Sequence, residues 1–142
     1  MTLNEWSGLK KIGFGSTRNV YEITSSDIPN KFNPWICEDV VIKEAKRQRG
    51  IEENILEHRV WETGEFDFLC PILDIIDDGR YIIMNKAKTS DITDCQVEHI
   101  LHKYSNKRKI SIHSDIWKKN IGIYNNEPVL IDYPFLYKNY VL

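Results

Sequence analysis

Residues Ser111 to Pro134 read SIHSDIWKKNIGIYNNEPVLIDYP, and the reading of this stretch decides the fold. It sets His113-Ser114-Asp115 ahead of Asn120, with Asp115 five residues before the asparagine, and then runs through Val129-Leu130-Ile131 to Asp132-Tyr133-Pro134. Ile121 to Tyr124 and Val129 to Ile131 are short apolar runs, and Asn125-Asn126-Glu127 between them is turn chemistry, so the pattern predicts a β-hairpin. Asn120 and Asp132 then leave its two strands at the same open end. A carboxylate and an amide oxygen converging there suit a hard divalent cation such as Mg²⁺. A second carboxylate, Asp115, stands near enough to take a hydroxyl proton, which makes the stretch the lower half of a phosphoryl-transfer site.

Upstream of it, Ile92, Val97, Ile100, Leu101 and Tyr104 recur at helical spacing from Asp91 on, and Ser105-Asn106 is the expected end of that helix. His99 and His102 lie on it without a neighbouring cysteine or acidic ligand, and they read as surface or satisfied residues rather than a metal pair. Before the helix, Pro71 to Asp77 and Arg80 to Asn85 are apolar runs joined by Asp77-Asp78-Gly79, a hairpin turn signal. Ile51 to Thr63 has helix-forming composition, with Ile51 and Ile55 on one stripe, Leu56 and Val60 on the next, and Gly64 as the stop. Asp39 to Glu44 is a short β-branched strand carrying Val40-Val41-Ile42-Lys43, and residues 24–37 ahead of it, with two prolines, read as a loop. At the front, Leu9 to Ile23 reads as two strands flanking a turn that holds Gly13 and Gly15, where the backbone is free to approach a ligand and aim N–H groups at it.

Composition bounds the reading. At 142 residues, 42% apolar and 28% charged, the chain supports one moderate core. A net charge of −2 with both signs interspersed gives no electrostatic case for nucleic acid or a membrane surface, and the basic run Lys103 to Lys109 reads as a solvated helix end. Cys37, Cys70 and Cys95 are odd in number and widely spaced, which argues for reduced thiols rather than a disulfide framework or a zinc cluster. No window approaches a membrane span and the first residues lack a signal-peptide core, so a cytoplasmic protein is expected.

The order of these features resembles the protein kinase superfamily over roughly Leu9 to Pro134. The H-x-D-x-x-x-x-N of His113, Asp115 and Asn120 and the apolar-Asp step at Asp132 are similar to the family's H-R-D-x-x-x-x-N and D-F-G. Gly13, Gly15 and Val20 stand where the glycine-rich loop G-x-G-x-x-G-x-V has its counterparts, with Arg18 at the third glycine, expected to cap or partly replace phosphate contacts. Val-Val-Ile-Lys at 40–43 looks like the V-A-I-K strand. By that resemblance Lys43 clamps phosphates, Val41 roofs the adenine and Glu57, within E-H-R-V-W, is the counter-charge of Lys43, with Glu53 and Glu62 as rivals. The resemblance further implies Met84 at the back of an adenine pocket, a hinge at Asn85, Lys86 and Ala87, Asp115 as catalytic base, and Asn120 and Asp132 as Mg²⁺ ligands. Leu73 and Trp61 are expected to stack towards His113 and Tyr133.

The departures shape the expectation. Ser114 replaces the arginine that reads activation-loop phosphorylation, Trp117 stands two residues after the base where a lysine is usual, with Lys118 or Lys119 to reach the phosphate instead, Pro134 replaces the glycine of D-F-G, and Gly122 underfills the adenine floor. The chain runs only ten residues past Asp132, with Phe135, Leu136, Tyr137, Tyr140 and Val141 apolar enough to fold over exposed core or to bind a partner. Such a trimmed chain looks like the small kinase-like proteins of phages and bacteria. The resemblance therefore implies an α+β fold: a five-stranded antiparallel N-lobe over about residues 1–85 and a truncated C-lobe over 86–142. It implies an ATP- and Mg²⁺-dependent transfer to a protein Ser/Thr or a small-molecule hydroxyl, S-D being compatible with small-molecule kinases that carry H-G-D. The rival of a different class is a pseudokinase-like protein that binds nucleotide or a partner without transfer.

Overall fold

The computed structural model describes residues 8–27, 38–108 and 116–140. Strands β1 (Lys10–Phe14), β2 (Arg18–Ile23), β3 (Val40–Ala45), β4 (Ile72–Ile76) and β5 (Tyr81–Asn85) form one antiparallel sheet in the order β1-β2-β3-β5-β4. Helix α1 (Gln48–Thr63) joins β3 to β4, α2 (Asp94–Arg108) follows β5, and a hairpin of β6 (Ile121–Tyr124) and β7 (Glu127–Leu130) leads into the short α3 (Phe135–Tyr140). The chain is α+β, as the sequence predicts. No helix among the described residues is long and apolar enough to cross a membrane.

Strand alternation sorts the sheet into two faces. Val40 and Ile42 of β3 join Ile23, Tyr81 and Ile83 in a cluster on one side. Lys43, paired in register with Ile82, and Val41, paired with Met84, belong to the other. On that second face Ile82 and Met84 share a core with Val60 of α1, Ile100 and Tyr104 of α2, Ile121, Val129 and Leu130 of the hairpin, and Tyr133 and Leu136 beyond it. The hairpin is clipped in from both sides. Leu130 N–H donates to the Phe68 carbonyl at 2.7 Å and Cys70 N–H to the Leu130 carbonyl at 2.8 Å, while Lys88 and Ile123 exchange two backbone bonds at 2.8 and 2.9 Å. These bonds fix the hairpin beneath the sheet, and with it the residues at its open end.

Most expected elements are found with shifted ends. The β6–β7 turn uses two residues, Asn125 and Asn126, at φ 51° and 65°, and Glu127 is already paired with Tyr124. Asp77-Asp78-Gly79 makes the β4–β5 turn, all three at positive φ. Helix α1 begins three residues before the expected start and takes in Gly50, a poor helix former kept there by sterics: a Cβ would fall 2.3 Å from the Thr17 carbonyl oxygen. It ends at Gly64, φ 66°, as expected. Its fully buried stripe is Gly50, Asn54, Glu57 and Val60, half of it polar, rather than the expected pairs of Ile51 with Ile55 and Leu56 with Val60. Helix α2 starts at Asp94 under a reciprocal cap, in which Thr93 N–H donates to Gln96 Oε1 at 2.8 Å and Gln96 N–H to Thr93 Oγ1 at 3.2 Å. It continues beyond Ser105-Asn106 to Arg108.

Two packing expectations are corrected. Leu73 is 36% exposed and is not part of the core, because in β4 the buried position is its neighbour Ile72, which belongs to the same core cluster as Val60, Phe68 and Tyr133; Trp61 is half-buried against that cluster. Gly122 underfills nothing: a Cβ there would lie 2.7 Å from Ala87 Cβ, so glycine is what lets β6 close against residues 87–88. Pro134 lies at the start of α3, where a missing N–H costs nothing, and its carbonyl accepts from Tyr137 N–H at 3.2 Å. Leu136 is fully buried, with Phe135 and Tyr137 packed against the core, so this part of the tail folds back.

Candidate functional site

Lys43 leaves β3 on the α1 side, and Glu57 lies on the buried stripe of α1 that faces it. Lys43 Nζ donates to Glu57 Oε1 at 2.8 Å and to the Ile131 carbonyl at 2.6 Å. Glu57, wholly buried, uses its other oxygen to accept from Tyr133 N–H at 2.6 Å. The rivals are elsewhere: Glu62 is exposed and pairs with His58 at 3.2 Å, and Glu53 lies between Arg18 and Arg49 at 3.7 and 3.8 Å. A single carboxylate thus links the third strand, the helix and the segment after the hairpin. Charge-assisted bonds of this kind are short and directional, which holds a long amine stem in one place.

Of the two roles expected of Arg18, capping the loop is not the one its side chain takes. Lying two residues before Val20 on β2, it points into the same space, and its guanidinium is buried at 6% exposure instead of capping an open loop. Nη1 donates to Glu57 Oε1 at 2.9 Å and Asn54 Oδ1 at 3.0 Å, and Nη2 donates to Asp132 Oδ1 at 2.6 Å. Burial opposes its charge, but Glu57 and Asp132 outweigh this and hold the guanidinium protonated more firmly than usual. Burial likewise opposes ionisation of Asp132, yet Lys43 and Arg18 prevail and keep its carboxyl below the ordinary carboxylate range. Asn54 was not singled out by sequence. It is fully buried three residues before Glu57 on one helix face, and its Nδ2 donates to the Gly79 carbonyl at 2.9 Å, tying α1 to the β4–β5 turn. That spacing is the signal that would have found it.

These groups form one end of a cleft of about 1060 Å³. All eight expected nucleotide-contacting residues line it: Gly13, Gly15, Val20, Val41 and Lys43 from the sheet, Met84 at the back, and Lys86 and Ala87 at the crossing to α2. So do Asn120, Asp132, Lys118 and Lys119. Lys118 also pairs with Asp94 at 3.0 Å, and Lys119 lies over the exposed ring of Trp117. Asn120 and Asp132 meet at the open end of the hairpin as expected, where Ile131 N–H donates to the Asn120 carbonyl at 2.9 Å. His113, Ser114 and Asp115 lie outside the described residues, as do Cys37 and Val141.

Backbone groups along the cleft are more selective than the sequence suggests. Gly13 is within β1 rather than in the turn, and neither it nor Gly15 has a positive φ. Gly15 N–H is spent on the Arg18 carbonyl at 2.8 Å, and Lys46 ties the turn to the start of α1 by bonds to the Gly15 and Thr17 carbonyls, each at 2.8 Å. The N–H groups of Ser16 and Thr17, which also line the cleft, enter no hydrogen bond among the described residues. At the end of β5, Asn85 commits every group but its Oδ1, which is buried with no hydrogen-bond partner among the described residues. Its N–H goes to Pro71, its carbonyl accepts from Cys70 Sγ, and its side-chain amide binds Glu38 and Tyr124. Lys86 N–H donates to Asp39. Among the described residues this leaves the Lys86 carbonyl and the Ala87 N–H and carbonyl without hydrogen bonds, an acceptor–donor edge beside an apolar pocket.

Asn120 and Asp132 have the donor chemistry for Mg²⁺. The immediate surroundings do not fit the ion. Asp132 Oδ1 already accepts a 2.6 Å bond from a guanidinium, so a dication placed there meets a resident positive charge. No protein-family model matches the chain, and a comparison with curated proteins returned no match either.

Proposed function

We propose that the chain is a kinase-like protein whose cleft binds ATP and transfers its γ-phosphoryl to a hydroxyl. The observation that carries this reading is the Lys43–Glu57 pair at 2.8 Å, buried at one end of a cleft whose other end is apolar and edged by the free groups of Lys86 and Ala87. An ammonium held by a fixed carboxylate suits a polyphosphate, and Val41 and Met84 with an acceptor–donor edge suit a purine. In the reaction, the acceptor oxygen bonds to the γ-phosphorus as the bond to the β–γ bridging oxygen breaks. The hydroxyl proton passes to Asp115, and ADP leaves. Lys43 offsets charge on the phosphates throughout. The acceptor is a protein Ser/Thr or a small-molecule hydroxyl, and the apolar C-terminal tail is the candidate partner contact.

The Arg18–Asp132 bond favours a second reading, in which nucleotide is bound and not turned over. The two separate cleanly. ATP at about 100 times its dissociation constant is expected to stabilise the fold by about 2.7 kcal/mol, read as a melting shift. Incubation with γ-labelled ATP and cell lysate is expected to label an acceptor, with labelling lost in Asp115→Ala while the melting shift remains. A melting shift with no transfer or hydrolysis selects the binding protein, and no shift removes both.

A further inference from the structure

Arg18 and Lys43 are two buried cations at the cleft's polar end, and both line it. Counting donors shows what each has left. Lys43 spends two of three N–H groups, on Glu57 and Ile131, and Arg18 Nη2 spends one of two, on Asp132. Each cation therefore keeps an N–H for an anion. Their positions are held by Glu57, Asn54 and Asp132, so they are set before any ligand arrives. The nearby carboxylates, Glu53, Glu57 and Asp132, outnumber the cations by one, yet the Asp132 carboxylate is already paired through Oδ1 with Arg18 at 2.6 Å, so a dication there would meet a resident positive charge.

We propose that Arg18 stands in for the divalent cation: this cleft takes the phosphates of a nucleoside di- or triphosphate on Arg18 and Lys43 without metal. This rests on the nucleotide-binding reading above and specifies how that site recognises its ligand. In a metal-dependent site, the carboxylate at position 132 is neutralised by the ion that also bridges the phosphates. Here a guanidinium does the first task and keeps a donor for the second, and guanidinium matches phosphate geometry well. The residue carrying it occupies the third glycine position of the loop, where a side chain that enters the cleft replaces backbone that would merely skirt it.

The test is calorimetric titration of ATP and ADP into the wild-type chain, in excess EDTA and again in excess MgCl₂. The proposal expects affinities within about threefold of one another, because Arg18 supplies the charge in both. Arg18→Gly restores the glycine and frees Asp132; its affinity in EDTA is expected to fall at least about tenfold and to recover in part with MgCl₂. Should Arg18→Gly fail to fold by circular dichroism, Arg18→Gln serves: it keeps a polar side chain in the cleft but removes the charge, and its affinity in EDTA is likewise expected to fall at least about tenfold. Wild-type binding that requires MgCl₂ overturns the proposal while leaving the nucleotide reading intact, as does EDTA binding unchanged in Arg18→Gly. No binding under either condition removes the nucleotide reading and this inference together.

Discussion

The two ends of the cleft are built on opposite principles. At one end Arg18, Lys43, Asn54, Glu57 and Asp132 satisfy one another, and Arg18, Lys43, Asn54 and Glu57 are nearly inaccessible. At the other, Val41 and Met84 offer apolar surface beside backbone groups of Lys86 and Ala87 that bind nothing among the described residues. The polar end is cross-linked by its own ion pairs and hydrogen bonds and spans the sheet, α1 and the segment after the hairpin, so it contributes to holding these pieces together whether or not a ligand is present. The end at Lys86 and Ala87 keeps backbone groups without hydrogen bonds among the described residues, and its geometry has meaning chiefly for a ligand. One region should therefore dominate stability and the other should dominate selectivity for the base.

The sharpest way to break this contrast is Glu57→Ala. It leaves Arg18 and Lys43 buried with a lost counter-charge and strands Tyr133 N–H, and should cost about 3–5 kcal/mol in denaturant unfolding. A cost below about 1 kcal/mol would mean the cluster is solvated and rearranges freely. Next is Gly122→Ala, whose new Cβ must displace Ala87. About 1–3 kcal/mol of stability and a weakened affinity for the base are expected together, measured by denaturation and nucleotide titration. If stability falls and base affinity does not, residues 86–87 are not the hinge.

A smaller effect tests the electrostatics. The carboxyl of Asp132 titrates below its ordinary range in the folded protein, so its contribution is fully present above the unfolded value, about 3.9, and fades as pH falls through the lower folded value. The stability gap between wild type and Asp132→Asn should be widest near neutrality and close towards acid. A gap that widens on acidification would reverse the assignment. The smallest effect is chemical. Burial pushes the Cys70 thiol up to about 12, whereas Cys95 is exposed, so alkylation at pH 8 followed by peptide mapping should mark Cys95 and spare Cys70.

Local pattern made much of this legible. Val40-Val41-Ile42-Lys43 read as a strand, Asn125-Asn126 announced the hairpin, and the resemblance around E-H-R-V-W singled out Glu57 from Glu53 and Glu62. What sequence hid depends on register between distant segments. Arg18 occupies a position that resembles a phosphate loop. That it turns inward follows only from where β2 lies against β3 and how far 131–133 intrudes beneath it. Asn54 looked like one more polar residue on a helix, because the carbonyls it serves belong to a turn twenty-five residues on. Leu73 misled for the same reason, since a one-residue difference in strand phase exchanges core for solvent.

The central claim is that Lys43, aimed by Glu57, meets the phosphates of a nucleotide. Titrating ATP into wild type and into Lys43→Met, after circular dichroism shows both folded, tests it most directly. The account predicts a single site in wild type weakened at least about tenfold, or about 1.4 kcal/mol, in the variant. No binding by wild type, or equal binding by both, would contradict it.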